Sequence, residues 1–337
     1  MPLLLSASEP QVVAEAARRL RAGGLVGLPT ETVYGLAADA LSASAVAGIF
    51  AAKGRPSDHP LIVHIPAPAA PSAQTWADAV SPLVRQLPDA ALALMQAFWP
   101  GPLTLILPRR DGVAAEAAGG QDSVGLRCPA HPAAQALLQA ARAEGVLGLA
   151  APSANRFGRV SPTTAAHVMS EFADLGEDAL LVLDGGACAV GIESTIVDLS
   201  RGVPVLLRPG QITPEQLEAV CGQSVRARDA QAPRASGTLE SHYAPSARVR
   251  LMDAMALTEA LPSAQPGAVA VYARATLPSL AGVLWRAMPT DPDAVAHELF
   301  AVLRDLDASG VREMWVEAPP AGSAWDGVRD RLTRAAA

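Results

Sequence analysis

Apolar residues recur at helical spacing in several stretches of the first 150 residues. The predicted helices cover residues 9–22, 42–54, 88–99 and 131–145. Short apolar runs between them predict strands at residues 25–28, 61–65, 102–107, 123–127 and 146–150. This alternation of helices and strands is typical of an α/β domain.

The pattern changes after residue 178. Strands are predicted at residues 179–186, 193–200 and 203–210 with no long helix between them, which indicates a mixed or antiparallel part of the sheet. A helix at 213–220 precedes residues 221–247, which lose all periodicity and are rich in Arg, Ser, Gly and Pro. A connection of that length is typical of a functional loop or a linker.

The last 90 residues predict a second, smaller α/β unit of Rossmann-like type. Its predicted strands are residues 248–253, 267–273, 281–287 and 312–318. Its predicted helices are residues 291–309 and 323–337. We therefore predict a catalytic domain at 1–215, a linker at 216–247 and a C-terminal domain at 248–337.

Composition restricts the possible functions. The net charge of −7 argues against a generally basic nucleic-acid binder but permits a local positive cleft. The three cysteines are far apart and form no CxxC pair, so neither a disulfide framework nor a zinc site is predicted. The N-terminal residues lack the features of a signal peptide, and no apolar run approaches a membrane span, so a cytoplasmic location is expected.

Candidate chemistry lies in polar residues at predicted strand ends. PTETVYG and KGRP carry hydroxyls and two cations, one of them the chain's only lysine, Lys53. Arg127 and Arg208 each end a strand, whereas Ser153 and Ser194 lie close to strand ends. Loops at strand ends bind ligands in open α/β sheets. Each motif alone is also compatible with a turn, a helix cap or a solvated surface.

Known phosphate-binding signatures are missing from the sequence. No GxGxxG follows a strand, and GACAVGIE at 186–193 lacks the Lys-Ser/Thr of a P-loop. Seven motifs together, however, resemble the YrdC-like family of threonylcarbamoyl-AMP synthases: PTETVYGLAADA, KGRPSDHPLIVHI, FWPGPLTLIL, SVGLRCP, APSANRFG, GIESTIVD and LLRPG. The resemblance covers residues 5–215, and SGTLESHYAP with the final α/β unit is similar to the long form of that family.

The resemblance implies a twisted mixed sheet and the synthesis of L-threonylcarbamoyl-AMP and pyrophosphate from L-threonine, bicarbonate and ATP. The product would pass to a transferase that modifies the adenosine next to the tRNA anticodon. It implies Lys53 and Arg55 as catalytic cations along the triphosphate. The implied ATP set is Lys53, Arg55, His59, Ser123, Ser153, Asn155, Ser161 and Arg208, and the linker hypothesis adds His242 and Tyr243 to it. Mg²⁺ is expected on the phosphates, with few protein ligands.

The implied threonine site is a separate set, in which Arg127 binds the carboxylate. Its members are Thr32, His64, Arg127, Ala151 and Ser194. From the length of the linker, the segment around His242 and Tyr243 is expected to act as a lid over ATP; the alternative is a turn that ends at Pro245 before the second domain. His59 departs from the family pattern, where asparagine is expected, so its contact is left open.

Two other functions fit the same domain. One is double-stranded RNA binding or ribosome maturation through a positive concave face, with weak RNA binding as a lesser form of it. The other is a carbamoyl-transferring domain of the hydrogenase-maturation type, which the sequence disfavours because it carries no zinc-finger or acylphosphatase-like segment.

Overall fold

The computed structural model describes residues 1–239, 241–275 and 280–337. Glu240, within the predicted lid segment, and residues 276–279 of the predicted C-terminal domain lie outside the described residues. None of the described helices combines the length and the apolar character needed to cross a membrane.

The strands and helices follow the alternation that the sequence predicts. The strands are β1 Leu3–Ser6, β2 Leu25–Leu28, β3 Gly35–Asp39, β4 Ile62–His64, β5 Leu103–Pro108, β6 Ser123–Arg127, β7 Leu149–Ala150, β8 Leu180–Asp184, β9 Thr195–Asp198, β10 Val205–Arg208, β11 Arg226–Ala227, β12 Arg248–Met252, β13 Val269–Ala273, β14 Leu284–Ala287 and β15 Glu313–Glu317. The helices are α1 Pro10–Arg21, α2 Ala43–Lys53, α3 Ala73–Val80, α4 Asp89–Phe98, α5 Pro132–Ala143, α6 Ala165–Glu171, α7 Pro214–Cys221, α8 Ala254–Ala260, α9 Pro292–Ala308 and α10 Asp326–Ala335. Short 3₁₀ turns lie at Leu261–Ser263 and Ser323–Trp325.

Strands β1 to β11 form one mixed sheet in the order β1-β8-β2-β3-β7-β4-β6-β5-β9-β10-β11. Both parallel and antiparallel pairs occur in it, and β9 and β10 are antiparallel, as the sequence predicts. Strands β12 to β15 form a second sheet in the order β12-β15-β13-β14, in which every pair is parallel. The predicted fold class, a mixed α/β sheet with a smaller Rossmann-like unit, is confirmed.

The apolar residues form two large cores on the large sheet and a third large core in the C-terminal unit, and a smaller cluster lies on each of the two sheets. The third core is not confined to that unit. It also contains Val33, Val160 and Ile192 from loops of the first sheet, and Tyr243 from the linker. The C-terminal unit therefore packs directly on the loops of the large sheet and on the linker.

Helix α2 shows how the sequence positions the predicted cations. Ser42 caps its first turn by accepting a hydrogen bond from the Ala45 N–H at 3.3 Å. Gly54 ends it in a left-handed conformation with φ +62°, which glycine adopts without steric cost. Lys53 is thus the last residue of the helix, and Arg55 begins the loop that leads to β4.

Candidate active site

One cleft between loops of the large sheet and the linker collects most of the predicted residues. The cleft together with the open solvent at its mouth amounts to about 480 Å³. Nine of the fifteen residues predicted from the sequence line it: Arg55, His64, Arg127, Ala151, Ser153, Ser194, Arg208, His242 and Tyr243. Residues separated by up to 188 positions in the chain therefore meet around one cleft. The alternative, that each motif is only a turn, a helix cap or a surface cation, does not explain this convergence.

Two buried arginines supply positive charge to the cleft. Arg208 donates to the Ser194 carbonyl at 2.9 and 3.1 Å and to the Ser194 Oγ at 3.1 Å. Arg55 donates to the Pro60 carbonyl at 3.1 Å, while its Nε has no partner among the described residues. Burial lowers the pKa of Arg55 to about 10, so the side chain stays charged at neutral pH. Arg55 has donors suited to bind phosphate oxygens. Four of the five Arg208 donors are already bonded to Ser194 and Ser236, so Arg208 contributes its charge and one remaining N–H.

Lys53 does not line the cleft. Its Nζ donates to the carbonyls of Ser153, at 2.6 Å, and Asn155, and the residue is only 2 % exposed. Burial, with the nearby Arg55, lowers the pKa of Lys53 well below its ordinary value. In this arrangement the lysine holds the 153–155 loop in place next to the cleft.

Arg127 is held by residues of the PTET loop. It donates to the Thr32 Oγ1 at 2.8 Å and to the Glu31 Oε1 at 2.6 Å, and its Nε donates to the Gly101 carbonyl at 3.3 Å. Glu31 also accepts from the Ala130 N–H at 3.0 Å. The sequence assigned no role to Glu31, although it lies inside a quoted motif. Its carboxylate compensates the charge of Arg127 and fixes the plane of the guanidinium.

Small and neutral groups complete the wall next to Arg127. His64 and Arg127 are paired residues on the parallel strands β4 and β6. Burial, together with the charge of Arg127, lowers the pKa of His64 to about 3, so its ring is neutral at physiological pH. The Ser194 Oγ lies 2.8 Å from the Thr104 Oγ1, and Ala151 contributes a backbone that is bonded to β4.

The linker lies across the cleft. Ser236 accepts a hydrogen bond from Arg208 at its carbonyl, at 2.9 Å, and its Oγ is 3.5 Å from Arg55. His242 and Tyr243 contact each other edge to face with ring centroids 4.1 Å apart. Tyr243 has a left-handed backbone with φ +63°, which is strained for an aromatic residue.

Phe157 contacts both the linker and the loop after α2, and no role was predicted for it. Its ring centroid lies 5.6 Å from His59, 6.4 Å from His242 and 5.8 Å from the Arg55 guanidinium carbon. A phenylalanine in a polar motif carries no local signal of such a contact, because its partners come from distant segments.

Six predicted residues do not line the cleft. They are Thr32, Lys53, His59, Ser123, Asn155 and Ser161. Thr32 contacts Arg127 as described. Ser123 lines a smaller neighbouring cavity, which shares Ile62 and Ser236 with the cleft. His59 lines neither the cleft nor this cavity and contacts the Phe157 ring edge to face.

Asn155 and Ser161 lie behind the cleft wall. Asn155 donates to the carbonyls of Arg156 and Arg159 at 2.7 and 2.9 Å. The Ser161 Oγ donates to the Glu193 Oε1 at 2.5 Å. Glu193 itself lines the cleft and was not among the predicted residues, although it belongs to the GIESTIVD motif.

The cleft holds most of the unsatisfied polar atoms found in the described part of the chain. Six buried side-chain atoms there have no hydrogen-bond partner. Five of them belong to predicted ligand-binding residues: Arg55 Nε, His64 Nδ1, Asn155 Oδ1, His242 Nδ1 and Tyr243 Oη. A buried polar group without a hydrogen bond lowers the free energy of unfolding. Several such groups at one site therefore indicate that a polar ligand binds there.

Known proteins match both sheets of the chain. The Sua5/YciO/YrdC family model, described as "Telomere recombination", matches residues 18–210, and that of the threonylcarbamoyl-AMP synthase C-terminal domain matches residues 212–337. The chain belongs to the Sua5/YrdC family.

Named relatives of this family resemble the chain over most of its length. The threonylcarbamoyl-AMP synthase of Bacillus subtilis is 43% identical over 74% of this chain and 68% of its own. That of Schizosaccharomyces pombe is 35% identical over 92% of this chain and 84% of its own. The crystal structure of Pyrococcus abyssi Sua5 complexed with L-threonine superposes with a TM-score of 0.85 at 34% identity, covering 100% of this chain and 97% of that one.

The described residues of this Sua5/YrdC chain do not form a cage for a metal ion. Within the described ranges, no group of three or more His, Cys, Asp or Glu side chains is placed to hold one. Glu193 is the one acidic side chain among the described residues that line the cleft, and it is already bonded to Ser161 and Arg331.

The two neutral histidines of the Sua5/YrdC cleft predict how stability depends on pH. Burial lowers the pKa of His242, like that of His64, to about 3, whereas the unfolded chain has the ordinary value of about 6.5. The unfolded state therefore takes up more protons below pH 6.5, and stability present above that pH is lost on acidification.

We expect the free energy of unfolding to fall between pH 6.5 and 5 by up to about 1.4 kcal/mol per pH unit for each histidine. Urea unfolding of the wild type and of His64→Gln across this range measures the effect. The variant should lose the contribution of one histidine, up to about 1.4 kcal/mol per pH unit, and keep those of the other histidines whose pKa is lowered: His242, His59 and His167. An unchanged slope in the variant would mean that His64 is protonated in the folded protein.

Proposed function

We propose that the chain synthesises L-threonylcarbamoyl-AMP and pyrophosphate from L-threonine, bicarbonate and ATP, as a nucleotidyltransferase of tRNA modification. One observation carries the proposal. In a family that includes a threonine-bound Sua5, five unpartnered buried polar atoms belong to residues at or beside one cleft that also contains buried arginines. The substrates and the tRNA pathway support an expectation that the protein acts in the cytoplasm.

The reaction requires two bonds to form. Bicarbonate takes up a proton and loses water as its carbon–hydroxyl bond breaks, which leaves carbon dioxide. The threonine nitrogen bonds to that carbon, one C=O π bond opens to an oxyanion, and the nitrogen loses a proton to give a carbamate. A carbamate oxygen then bonds to the α-phosphorus of ATP while the bond from that phosphorus to the bridging oxygen breaks. Pyrophosphate leaves with the electron pair. Such a displacement depends on positioning and charge neutralisation more than on a protein nucleophile.

Arg55 and Arg208 are the proposed phosphate-binding cations. Both are buried in the cleft, where a charge acts more strongly on a ligand than it does in water. Lys53 contributes at one remove, because its ammonium holds the loop that carries Ser153 and Asn155. Magnesium would enter on the nucleotide phosphates, and no step of the mechanism is assigned to it.

Arg127 is the proposed partner of the threonine carboxylate. Glu31, Thr32 and Gly101 occupy one N–H donor each, so two of its five donors remain for a ligand. The neutral His64 accepts a hydrogen bond from the amine or the hydroxyl of threonine, and Ser194 lies on the same wall. A site that pairs with the hydroxyl rejects valine strongly, because its own polar groups are then left unpaired.

The linker is the proposed lid over the nucleotide. Ser236, His242 and Tyr243 all line the cleft, and the imidazole Nδ1 and phenol Oη are unpartnered within the described residues. A closed lid excludes the water that would hydrolyse the carbamate or the adenylate. Removing the chain after Gly210 would not test this, because it would also expose Val33, Val160 and Ile192 of the shared core.

Limited trypsin digestion of the full chain tests the lid. Arg234, whose guanidinium binds Asp58 at 2.8 Å and the Gly119 carbonyl at 3.1 Å, lies two residues before Ser236. We expect cleavage after Arg234 to slow about tenfold when ATP and threonine are both present, because lid opening becomes rarer. Arg228 is the internal control, since it is exposed in the same linker and does not line the cleft. Equal slowing at both sites, or none, would show that the linker is only a connector.

RNA binding is the weaker candidate on the same geometry. Tracking a phosphate backbone requires a broad exposed stripe of cations and gives a steep dependence on salt. The cations of this cleft are buried, with Arg55 only 7 % and Arg208 only 2 % exposed. They are suited to a small ligand enclosed by the protein.

Release of pyrophosphate from ATP tests the proposed activity. Release should depend on both L-threonine and bicarbonate, should be slower with L-serine and should be absent with L-valine. Release that is independent of the amino acid would indicate a simple ATPase. A tRNA threonylcarbamoyl transferase is the proposed consumer of the product, because the acyl phosphate bond is too labile for storage.

A further inference from the structure

Arg331 brings a charge from the C-terminal unit to the wall of the cleft. It lies on α10, is completely buried, and donates from Nε to the Glu193 Oε2 at 2.8 Å. Its other nitrogens donate to the Glu193 carbonyl at 2.9 Å and the Pro209 carbonyl at 2.8 Å. The guanidinium carbon lies 5.5 Å from the Tyr243 ring centroid. One residue of the last helix thus contacts a motif of the cleft, the loop after β10 and the lid.

The segment that carries Glu193 is held between the C-terminal helices. Gly191 has φ +84°, and a Cβ there would lie 2.4 Å from the backbone carbonyl oxygens of Ala296 and His297 on α9. Ile192 belongs to the core of the C-terminal unit. This close approach accounts for the glycine, and it means that the position of Glu193 depends on the C-terminal unit.

Glu193 would by itself oppose the binding of a nucleotide. It is buried, and it lines the same cleft as Arg55 and Arg208. Burial acts to raise the pKa of Glu193, but the nearby Arg331 and Arg208, with the bond from Ser161, lower the net pKa below its ordinary value. The group is therefore an anion in the space proposed for a polyanionic ligand.

The ion pairs around Arg331 show which carboxylate its positive charge neutralises, namely Glu193. Asp330 is the other carboxylate bonded to Arg331, at 2.9 Å, and it is also paired with Arg334 at 2.8 Å. Arg334 thus compensates Asp330, which leaves Arg331 to compensate Glu193. Because Arg208 is bonded to Ser194 and to Ser236, it is not the direct partner of the carboxylate.

We propose that Arg331 is a positioning residue through which the C-terminal unit neutralises Glu193 and so allows a nucleotide triphosphate to bind in the cleft. This inference rests on the proposed function for the identity of the ligand. It gives the C-terminal unit a defined part in nucleotide affinity. Arg331 acts through Glu193 and does not itself line the cleft.

Equilibrium binding of ATP to full-length variants tests the proposal. If the loss of ATP affinity comes from the charge of Glu193, removing that charge should restore the affinity. Arg331→Met should weaken ATP binding about tenfold or more, because it leaves a buried carboxylate unpaired beside the phosphates. The double variant Arg331→Met/Glu193→Gln should recover ATP affinity to within about threefold of the wild type. Glu193→Gln alone should bind ATP at least as tightly as the wild type, since Arg331 then adds positive charge.

Two further variants separate charge from packing. Arg331→Lys keeps the charge and loses the fork, so its ATP affinity should stay within about threefold of the wild type even if Arg331→Met does not fold. Arg329→Met is the matched control on the same helix, because Arg329 bonds to Asp326 and to the carbonyls of Pro320 and Gly322. It should bind ATP like the wild type.

Each outcome decides the inference. Wild-type ATP affinity in Arg331→Met, no recovery in the folded double variant, or a tenfold loss in folded Arg331→Lys would overturn it. ATP binding is measured without threonine or bicarbonate, so it is independent of synthesis. A wild-type protein that binds ATP but makes no adenylate would contradict the proposed function and leave this inference standing.

Discussion

Arg55→Ala is expected to reduce threonine-dependent pyrophosphate release about a hundredfold. Removing one preorganised hydrogen-bond donor from a developing oxyanion typically costs about 2.7 to 4 kcal/mol, and Arg55 is expected to act on the phosphoryl oxygens in the same way. Arg55 is buried, lines the cleft and has a free Nε, whereas its other described bonds go to Pro60 and weakly to Ser236. Steady-state kinetics with saturating threonine and bicarbonate measures the loss.

The matched control for Arg55 is Arg85→Ala. Arg85 is a partly exposed arginine that pairs with Asp111 at 3.5 Å and lines a different cavity. It should retain activity within about twofold, because exposed ion pairs contribute little. A folded Arg55→Ala protein with near-normal activity would remove Arg55 from the phosphate site.

Arg127→Lys is expected to raise the KM for threonine by about a hundredfold while changing the KM for ATP by no more than about twofold. Lysine keeps the positive charge but cannot form two parallel hydrogen bonds to a carboxylate while also contacting Glu31 and Thr32. Lysine is used because alanine would leave the buried Glu31 carboxylate unpaired, which destabilises a fold by about 3 to 5 kcal/mol.

A second variant separates the ligand from the fold at this position. Arg127→Ala/Glu31→Gln removes both charges of the 2.6 Å ion pair and leaves no buried carboxylate at residue 31. It should remain folded and bind ATP, yet its KM for threonine should rise as much as that of Arg127→Lys. An equal rise in the KM for ATP and the KM for threonine in both variants would mean that Arg127 binds the nucleotide or maintains the structure of the cleft.

The long elements were predictable because their signals are local. Helices α1, α2, α5 and α9 each carry a helical apolar pattern with a cap, a proline or a glycine at an end, and they lie within two residues of the predicted bounds. The short elements β1, β3, α3, α6 and α8 were not predicted. These elements span four to eight residues, a length at which apolar periodicity is often indistinguishable from that of a loop.

The candidate site divides in the same way. Arg55, Arg127 and Arg208 could be proposed because each stands at a strand end or loop in a motif. The hydrogen bonds from Lys53 to two loop carbonyls could not be predicted, because they depend on the position of a loop a hundred residues later in the chain. The bond between Glu193 and Arg331, 138 residues apart, has no signature in either neighbourhood.

The proposed domain limits at 215 and 247 remain a prediction. The two sheets are separate, but the core of the C-terminal unit includes residues of the first sheet and Tyr243. The linker, which the sequence predicts as unstructured, contributes the two-residue strand β11 at the sheet edge, where Arg226 and Ala227 pair with β10. Loss of periodicity therefore marks a segment whose structure comes from distant contacts.

Incorporation of labelled bicarbonate tests the central claim most directly. The full-length protein is incubated with ATP, L-threonine and ¹³C-bicarbonate, and the nucleotide products are analysed at once by mass spectrometry. We predict one product that contains AMP, threonine and a single ¹³C atom, formed in equal amount to pyrophosphate and absent when any substrate is omitted. Pyrophosphate release without such a product, or an AMP adduct of threonine that carries no label, would contradict the account.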